Sequence, residues 1–131
     1  MANITTYSFE NLTVWQKAHR FVLSVYRATQ NFPDTEKFGL LTQFRRAAVS
    51  ITANIAEGYK KLSRADKLRF FNIAQGSLEE CRNYIILSRD LGYIEEREYE
   101  ELREMIEESS KLLNAYCLSV SENKAVQNIL S

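Results

Sequence analysis

The segment from Ala47 to Gly58 is unusually rich in small residues, since six of its twelve residues are Ala, Ser or Gly. A helix that only turned one face to a core would not need so many small side chains. We therefore expect another helix to approach this one closely. With successive side chains turned by about 100° on an α-helix, one apolar stripe contains Leu40, Phe44, Ala47, Ile51, Ile55 and Gly58.

A polar stripe lies beside this apolar one. We predict that Ser50, Asn54 and Glu57 form hydrogen bonds to a neighbouring helix, either in the same chain or in another copy. The alternative is that they satisfy one another inside the bundle. Gly58 is expected to be either a left-handed helix stop or a close packing point. The members of the polar stripe are Gln43, Arg46, Ser50, Asn54, Glu57 and Lys61.

Turn-forming residues are scarce, because Pro33 is the only proline and the chain has four glycines. Sheets with many hairpins depend on such residues, so we expect an all-α fold. A length of 131 residues suits one domain with one core. No run approaches the roughly 18 to 20 apolar residues of a membrane span, and no basic-then-apolar leader is present. We expect a cytoplasmic protein with no membrane partner.

Capping signals mark the first two helices. The side-chain oxygen of Asn11 is expected to cap the first helix. Pro33 is expected to end it, because proline has no N–H and restricts the residue before it. Asp34 or Thr35 is then expected to cap the second helix.

The third helix has a capping signal at Ser63, with Asp66 three residues later, and Gly92 is expected to close it. Short connections make consecutive helices antiparallel. The prediction is one domain over residues 1–131, an antiparallel up-and-down four-helix bundle. The four helices are expected at about residues 11–31, 35–60, 64–91 and 95–120.

Residues with catalytic or metal-binding chemistry are few and poorly spaced. His19 is the only histidine and is expected to be a surface residue. Cys81 and Cys117 lie at apolar helical positions without CxxC spacing, which predicts buried reduced thiols. No ExxH pair, GxSxG motif or phosphate-binding glycine loop is present. We expect a non-enzymatic protein with no catalytic, cofactor-binding or metal-binding residues.

Charge is unevenly distributed along a chain whose formal net charge is zero. Residues 1–89 carry 13 Lys/Arg and 7 Asp/Glu, a net charge of +6, whereas residues 90–131 carry 4 and 10, a net charge of −6. A basic half is typical of a nucleic-acid-facing surface. The alternative is that basic and acidic helices are neighbours and largely cancel.

Seven basic residues are candidates for contacting a nucleic acid, and five of them cluster at the turn between the second and third helices. Such a cluster neutralises the phosphates of structured RNA without reading its sequence. Tyr59 is the one aromatic residue close enough to stack on a base. A turn that only improves solubility is the alternative. The candidates are Arg45, Arg46, Lys60, Lys61, Arg64, Lys67 and Arg69.

The outer face of the predicted fourth helix is crowded with glutamates. A solvated face is the simplest interpretation. An acidic face also suits a basic partner, which makes a protein-interaction scaffold the alternative to an RNA-binding protein. The residues are Glu95, Glu96, Glu98, Glu100, Glu101, Glu104, Glu107 and Glu108.

Two features favour self-association. Ile86 and Leu87 lie off the core stripe of the third helix, and Ala53 and Ala56 lie on the non-core side of the second. Burying apolar surface stabilises a protein by about 25 cal/mol per Å2. A monomer would not gain this stabilisation at these positions, because the side chains would stay exposed. We predict a closed homo-oligomer in which each copy contacts two others head to tail.

Several motifs of this chain also form the pattern of one known family. The most specific are Asn54–Gly58, which reads NIAEG, and Gly76–Leu78, which reads GSL. The chain resembles, over about residues 9–120, the four-helix-bundle family of proteins encoded in intervening sequences of bacterial 23S rRNA genes. The further matching positions are Phe9, Leu12, Val14, Trp15, Phe32, Pro33, Phe38, Gly39, Leu40, Gln43, Arg45, Arg46, Ala47, Ser50, Ala74, Glu80, Leu91 and Gly92.

The resemblance carries expectations of its own. It implies an up-and-down bundle that assembles as a homopentamer. It also implies kinship with the accessory subunit of diversity-generating retroelements, a basic pentamer that binds RNA and a reverse transcriptase. It brings no catalytic residues.

Overall fold

A computed structural model describes residues 8–130 of the chain, with side chains described for residues 8–122. Short 3-10 turns at Phe9–Asn11 and Asp34–Glu36 precede the first and second helices, and no strand occurs among the described residues. The four α-helices are α1 (Thr13–Thr29), α2 (Leu40–Lys60), α3 (Arg64–Asp90) and α4 (Glu96–Leu130).

The four helices form a closed bundle. Each helix packs against the next in sequence, and α4 packs against α1. Within the described part of the chain, no Cα atom of α1 lies within 8 Å of α3, and none of α2 within 8 Å of α4. The start of α2 meets the end of α1 through Arg45 and Thr29, so the helices alternate in direction. The predicted antiparallel four-helix bundle is confirmed.

The core is built from the apolar stripes of all four helices. Phe21, Phe44 and Phe71 are fully buried at its centre. All six residues of the predicted α2 stripe are buried, because a 3.6-residue period places them on one face. Trp15 is only half-buried, with its ring stacked on His19 at 4.7 Å between centroids.

The described part of the chain contains no helix long and apolar enough to cross a membrane.

The predicted cap of α1 is wrong. Leu12, not Asn11, occupies the N-cap position, and it has no side-chain oxygen to offer. Asn11 lies in the preceding 3-10 turn, which Ser8 caps by accepting a hydrogen bond from the Glu10 N–H. Because Asn11 belongs to this 3-10 turn, α1 begins at Thr13, two residues later than predicted.

The start of α2 also differs from the prediction. Asp34 and Thr35 lie in a 3-10 turn, and α2 begins only at Leu40. The Leu40 N–H donates to Glu36 Oε1 at 3.0 Å, so a carboxylate four residues away replaces the predicted local cap. The Tyr93 hydroxyl donates to Glu36 Oε2 at 2.8 Å, which orients this carboxylate from the turn between α3 and α4.

Both predicted signals of α3 are confirmed. Ser63 Oγ accepts from the Asp66 N–H at 3.1 Å at its start. At its end Gly92 has φ 77°, a left-handed conformation that glycine adopts without strain. The Tyr93 N–H then bonds to the Ser88 carbonyl at 2.9 Å, which closes a Schellman motif. α4 is longer than predicted and continues to Leu130.

Candidate nucleic-acid interface

The turn between α2 and α3 is held by very close helix packing at Gly58. Gly58 is buried, and a Cβ atom placed there would lie 2.6 Å from Phe71 Cε1. Among the described residues only Gly92 has a positive φ, so Gly58 is the predicted packing point and not a left-handed stop. Its missing side chain lets the ends of two helices meet and fixes the basic turn beside them.

Lys67 has an intramolecular role at this turn. Its ammonium donates to the Tyr59 carbonyl at 2.7 Å and lies 3.5 Å from the Gly58 carbonyl. The last carbonyls of a helix have no partner in the helix and attract cations, so Lys67 from α3 caps α2. Partial burial lowers the pKa of the Lys67 ammonium.

Two cations lie close to the ring of Phe70. Lys61 Nζ is 5.0 Å and Arg69 Cζ 4.9 Å from its centroid. Both cations also face carboxylates across exposed pairs, Lys61 with Glu57 at 3.5 Å and Arg69 with Asp66 at 3.7 Å. Exposed ion pairs contribute little to stability, so both cations remain accessible to an anionic partner at small cost.

Lys60 and Arg64 are the least engaged cations of the turn. Lys60 is exposed and Arg64 half-buried. Neither makes an ion pair or a side-chain hydrogen bond with any described residue. Both therefore have their full charge available to a phosphate.

The seven predicted residues do not form one patch. Arg46 precedes Lys60 by fourteen residues of α2, which corresponds to about 21 Å along the helix axis. Arg45 donates from Nε to Thr29 Oγ1 at 2.8 Å and from a terminal nitrogen to the Tyr26 carbonyl at 3.1 Å. It therefore caps the end of α1, as Lys67 caps the end of α2. The structure brings together Lys60, Lys61, Arg64, Lys67 and Arg69, and it leaves Arg45 and Arg46 apart.

Tyr59 lies under the ammonium of Lys67, whose Nζ is 5.6 Å from the ring centroid. The ring is half-buried, so one part of its surface is already covered from within the chain. Stacking of Tyr59 on a base stays a prediction.

The polar stripe of α2 connects two helices of the same chain. The Ser77 hydroxyl of α3 donates to Ser50 Oγ at 2.8 Å. The Asn54 amide donates to Ser50 Oγ at 3.0 Å and to the Ser50 carbonyl at 2.8 Å. The predicted link to a neighbouring helix thus exists at Ser50, whereas Asn54 bonds within α2. Glu57 is exposed and pairs with Lys61.

The two apolar residues predicted to lie outside the core differ in exposure. Ile86 is partly buried against the core. Leu87 is 40% exposed and lies on the outer face of α3. The structure therefore keeps Leu87, and not Ile86, as an uncovered apolar side chain.

The acidic face of α4 is partly neutralised by its neighbours. Glu108 pairs with Lys17 of α1 at 3.4 Å, and Glu107 pairs with Arg82 of α3 and with Arg103 at 3.4 Å. Of the remaining acidic side chains, Glu101 pairs with Arg97 of the same helix at 3.6 Å, and Glu98 and Glu104 form no ion pair among the described side chains. Glu98, Glu101 and Glu104 line a groove between α1 and α4 whose walls also contain Ser24, Arg27, Ala28, Leu102 and Met105.

The described residues contain no candidate metal site, and both cysteines are free thiols. No group of three or more His, Cys, Asp or Glu side chains among them is arranged to hold a metal ion. Burial raises the pKa of the Cys81 thiol, with Glu80 adding to the effect, and burial also raises the pKa of Cys117. Cys81 is a buried free thiol as predicted, whereas Cys117 is free but only half-buried.

Sequence reasoning missed the intramolecular roles of Arg45 and Lys67. The available signal was their position, since each lies within the first turns of a helix that follows a helix end. Periodicity places such a cation on a face, but only the packing of two helices shows that it reaches the carbonyls of the preceding one.

The chain has a family and a structural relative. Residues 10–115 match the family described as 23S rRNA-intervening sequence protein. A crystal structure of a protein with unknown function from the S23 ribosomal protein family, from Bacteroides thetaiotaomicron VPI-5482, has a similar fold. Its TM-score is 0.73 at 28% identity, and the similarity covers 79% of this chain and 94% of that one. No curated protein matches the sequence. The bundle and the matched motifs together show that this chain belongs to the 23S rRNA-intervening sequence protein family.

Proposed function

We propose that this protein is a non-enzymatic, cytoplasmic homo-oligomer that binds structured RNA through the α2–α3 end of the bundle. The observation that carries the proposal is the pair Lys60 and Arg64, which lie at one end of the bundle without an intramolecular ion pair among the described residues. Lys61 and Arg69 extend this surface through exposed pairs that a phosphate can replace. We name these four residues the basic end.

In the proposed oligomer RNA binding is strengthened, because one copy alone supplies few phosphate contacts. A ring of identical copies repeats the basic end once per subunit, and linked weak contacts add to a high overall affinity. Five copies is the number that the family resemblance implies. The 23S rRNA named in the family description is consistent with an RNA partner.

RNA binding is tested by salt dependence. We expect the intact protein to bind a structured RNA hairpin in fluorescence anisotropy, with affinity falling steeply between about 50 and 200 mM salt. Replacing Lys60 and Arg64 by Ala should weaken binding and reduce the slope of log K against log salt by about 1 for each lost phosphate contact. The measurement requires that the double variant keeps the oligomeric mass of the wild type.

Lys111→Ala is the matched control. Lys111 is an exposed cation of α4 with no ion pair among the described side chains, and it lies away from the basic end. Its loss should leave both affinity and slope unchanged. Absence of RNA binding at low salt, or an equal loss in the control, would contradict the proposal.

The groove between α1 and α4 favours a second candidate function, a protein-interaction scaffold. Leu102 and Met105 supply apolar walls, and Glu98, Glu101 and Glu104 outnumber the one lining cation, Arg27, so the groove is negative overall. This chemistry suits a basic amphipathic helix of a partner protein. A labelled Lys/Leu amphipathic peptide should then bind the wild type and lose affinity on Met105→Lys, with no effect of Val49→Lys at an exposed position of α2.

A further inference from the structure

Gly76 is a glycine that the single chain does not require. It is exposed in the middle of α3, and a Cβ atom placed there meets nothing within 4 Å. Apart from proline, glycine is the least favourable residue in a helix interior. Gly58 shows the opposite case, in which another helix fills the space of the missing side chain. The contact that would explain Gly76 must therefore come from outside the chain.

Gly76 lies within an exposed strip of α3. Ile73 is 45% and Leu87 40% exposed, and spacings of three, four and seven residues place both on the same side as Gly76. Glu80 lies between them, exposed and without an ion pair among the described side chains. We call Ile73, Gly76, Glu80 and Leu87 the α3 strip. Its two apolar side chains, Ile73 and Leu87, flank the gap left by the missing side chain of Gly76, and Glu80 supplies one carboxylate.

The outer face of α1 has the complementary features. Leu23 is 42% exposed, three residues after Arg20 and four before Arg27. Both arginines are exposed, and neither forms an ion pair within the described part of the chain. We call Arg20, Leu23 and Arg27 the α1 strip, an apolar side chain between two positive charges.

We propose that the α1 strip of one copy packs on the α3 strip of a second copy, with Leu23 seated over Gly76 and an arginine facing Glu80. A residue without a side chain lets a second helix approach closely. Opposite charges beside the apolar contact favour this pairing. The acidic α4 is a poor occupant, because it would place like charges beside Glu80. This inference rests on the proposed homo-oligomer and names the two surfaces that build it.

The geometry makes the contact head to tail. The strips lie on α1 and α3, which are diagonal in the bundle and do not approach each other. One copy therefore cannot pair its own strips, and a dimer joined by one contact retains one free strip at each end. Such an interface continues from copy to copy until a ring closes.

Two full-length variants test the assignment, each blocking one strip. Gly76→Leu fills the notch on α3, and the double variant Arg20→Glu/Arg27→Glu reverses the charges on α1. We expect each, by light scattering, to fall from a mass several times 15.2 kDa to the 15.2 kDa of one chain. Circular dichroism should show unchanged helix content, because both changes are on exposed helix surface.

Mixing the two variants gives the decisive measurement. Each retains the strip that the other has lost, so an equimolar mixture should form a species of two chains and grow no further. If both variants are monomers and the mixture also stays monomeric, the head-to-tail pairing of these strips is wrong. Lys111→Glu and Ser119→Leu, two exposed changes on α4, should keep the wild-type mass.

The wild-type mass separates this inference from the proposed oligomer. A monomeric wild type would contradict both. An oligomeric wild type whose mass survives Gly76→Leu and the arginine reversal would leave the oligomer standing and reject only these surfaces.

Discussion

Gly58 shows how a single missing methyl group sets the distance between two helices. We expect Gly58→Ala to destabilise the protein, because the new Cβ would lie 2.6 Å from Cε1 and 2.9 Å from Cδ1 of Phe71. Phe71 is fully buried and cannot move away. Overpacking of this kind costs about 1–3 kcal/mol, which exceeds the gain of about 1 kcal/mol from replacing a helical glycine. Urea unfolding measures the difference.

The exposed helical substitution Ser119→Ala is the control for this measurement and should leave the urea midpoint nearly unchanged. If Gly58→Ala is as stable as the wild type or more so, the close approach at the α2–α3 turn is not tight.

Ser50 joins three polar groups across the α2–α3 contact. Ser50→Ala leaves the Ser77 hydroxyl and one hydrogen bond of the Asn54 amide without a partner. An unpaired buried polar group costs about 1–3 kcal/mol, so the free energy of unfolding should fall by about that amount. The double variant Ser50→Ala/Ser77→Ala should lose less than the sum of the two single losses, because both remove the same bond. Strict additivity would show that the two hydroxyls do not interact.

At the scale of elements, the start of α2 depends on a carboxylate held by another turn. The Leu40 N–H and then the Tyr93 hydroxyl, both hydrogen-bonded to Glu36, lower the pKa of that carboxyl from its ordinary value of 4.5. A lowered pKa in the folded state gives stability that is present above pH 4.5 and is lost as the pH falls through the folded value. The cap should therefore fail in acid.

Glu36→Gln tests this pH dependence. Its thermal midpoint should lie furthest below that of the wild type near pH 7, and the two should converge as the pH falls below about 4. Glu104→Gln, at an exposed glutamate without an ion pair among the described side chains, should show no such convergence. If the thermal midpoints of the wild type and Glu36→Gln differ by the same amount at all pH values, the charge of Glu36 does not contribute to the cap.

At the scale of the whole molecule, the charge split along the sequence is reduced by the bundle itself. The acidic α4 packs between α1 and α3, and Lys17 and Arg82 reach Glu108 and Glu107 across the two contacts. What remains is a surface whose uncovered apolar side chains include Leu23, Ile73 and Leu87. We expect light scattering at micromolar concentration to give a mass several times 15.2 kDa, and a stable monomer would contradict the proposed assembly.

The sequence by itself determined the number of helices, their order and most of the core. Apolar periodicity and local caps act within one element. The roles of Ser63 and Gly92 at the ends of α3 could therefore be predicted from the sequence, and so could the buried face of α2 from Leu40 to Gly58. The bundle followed because four such faces with short connections have few ways to bury one another.

Only the tertiary structure decided the contacts between elements. Glu36 caps α2 with a carboxylate that a tyrosine 57 residues away holds in place, and Arg45 and Lys67 reach the carbonyl groups at the ends of the preceding helices. The same packing divided the seven basic candidates into the four residues of the basic end, Lys67 as a helix cap beside them, and two distant residues. Sequence patterns fix the face on which a side chain lies, but its partner is set by how closely the neighbouring helix approaches, and here that distance depends on residues as small as Gly58.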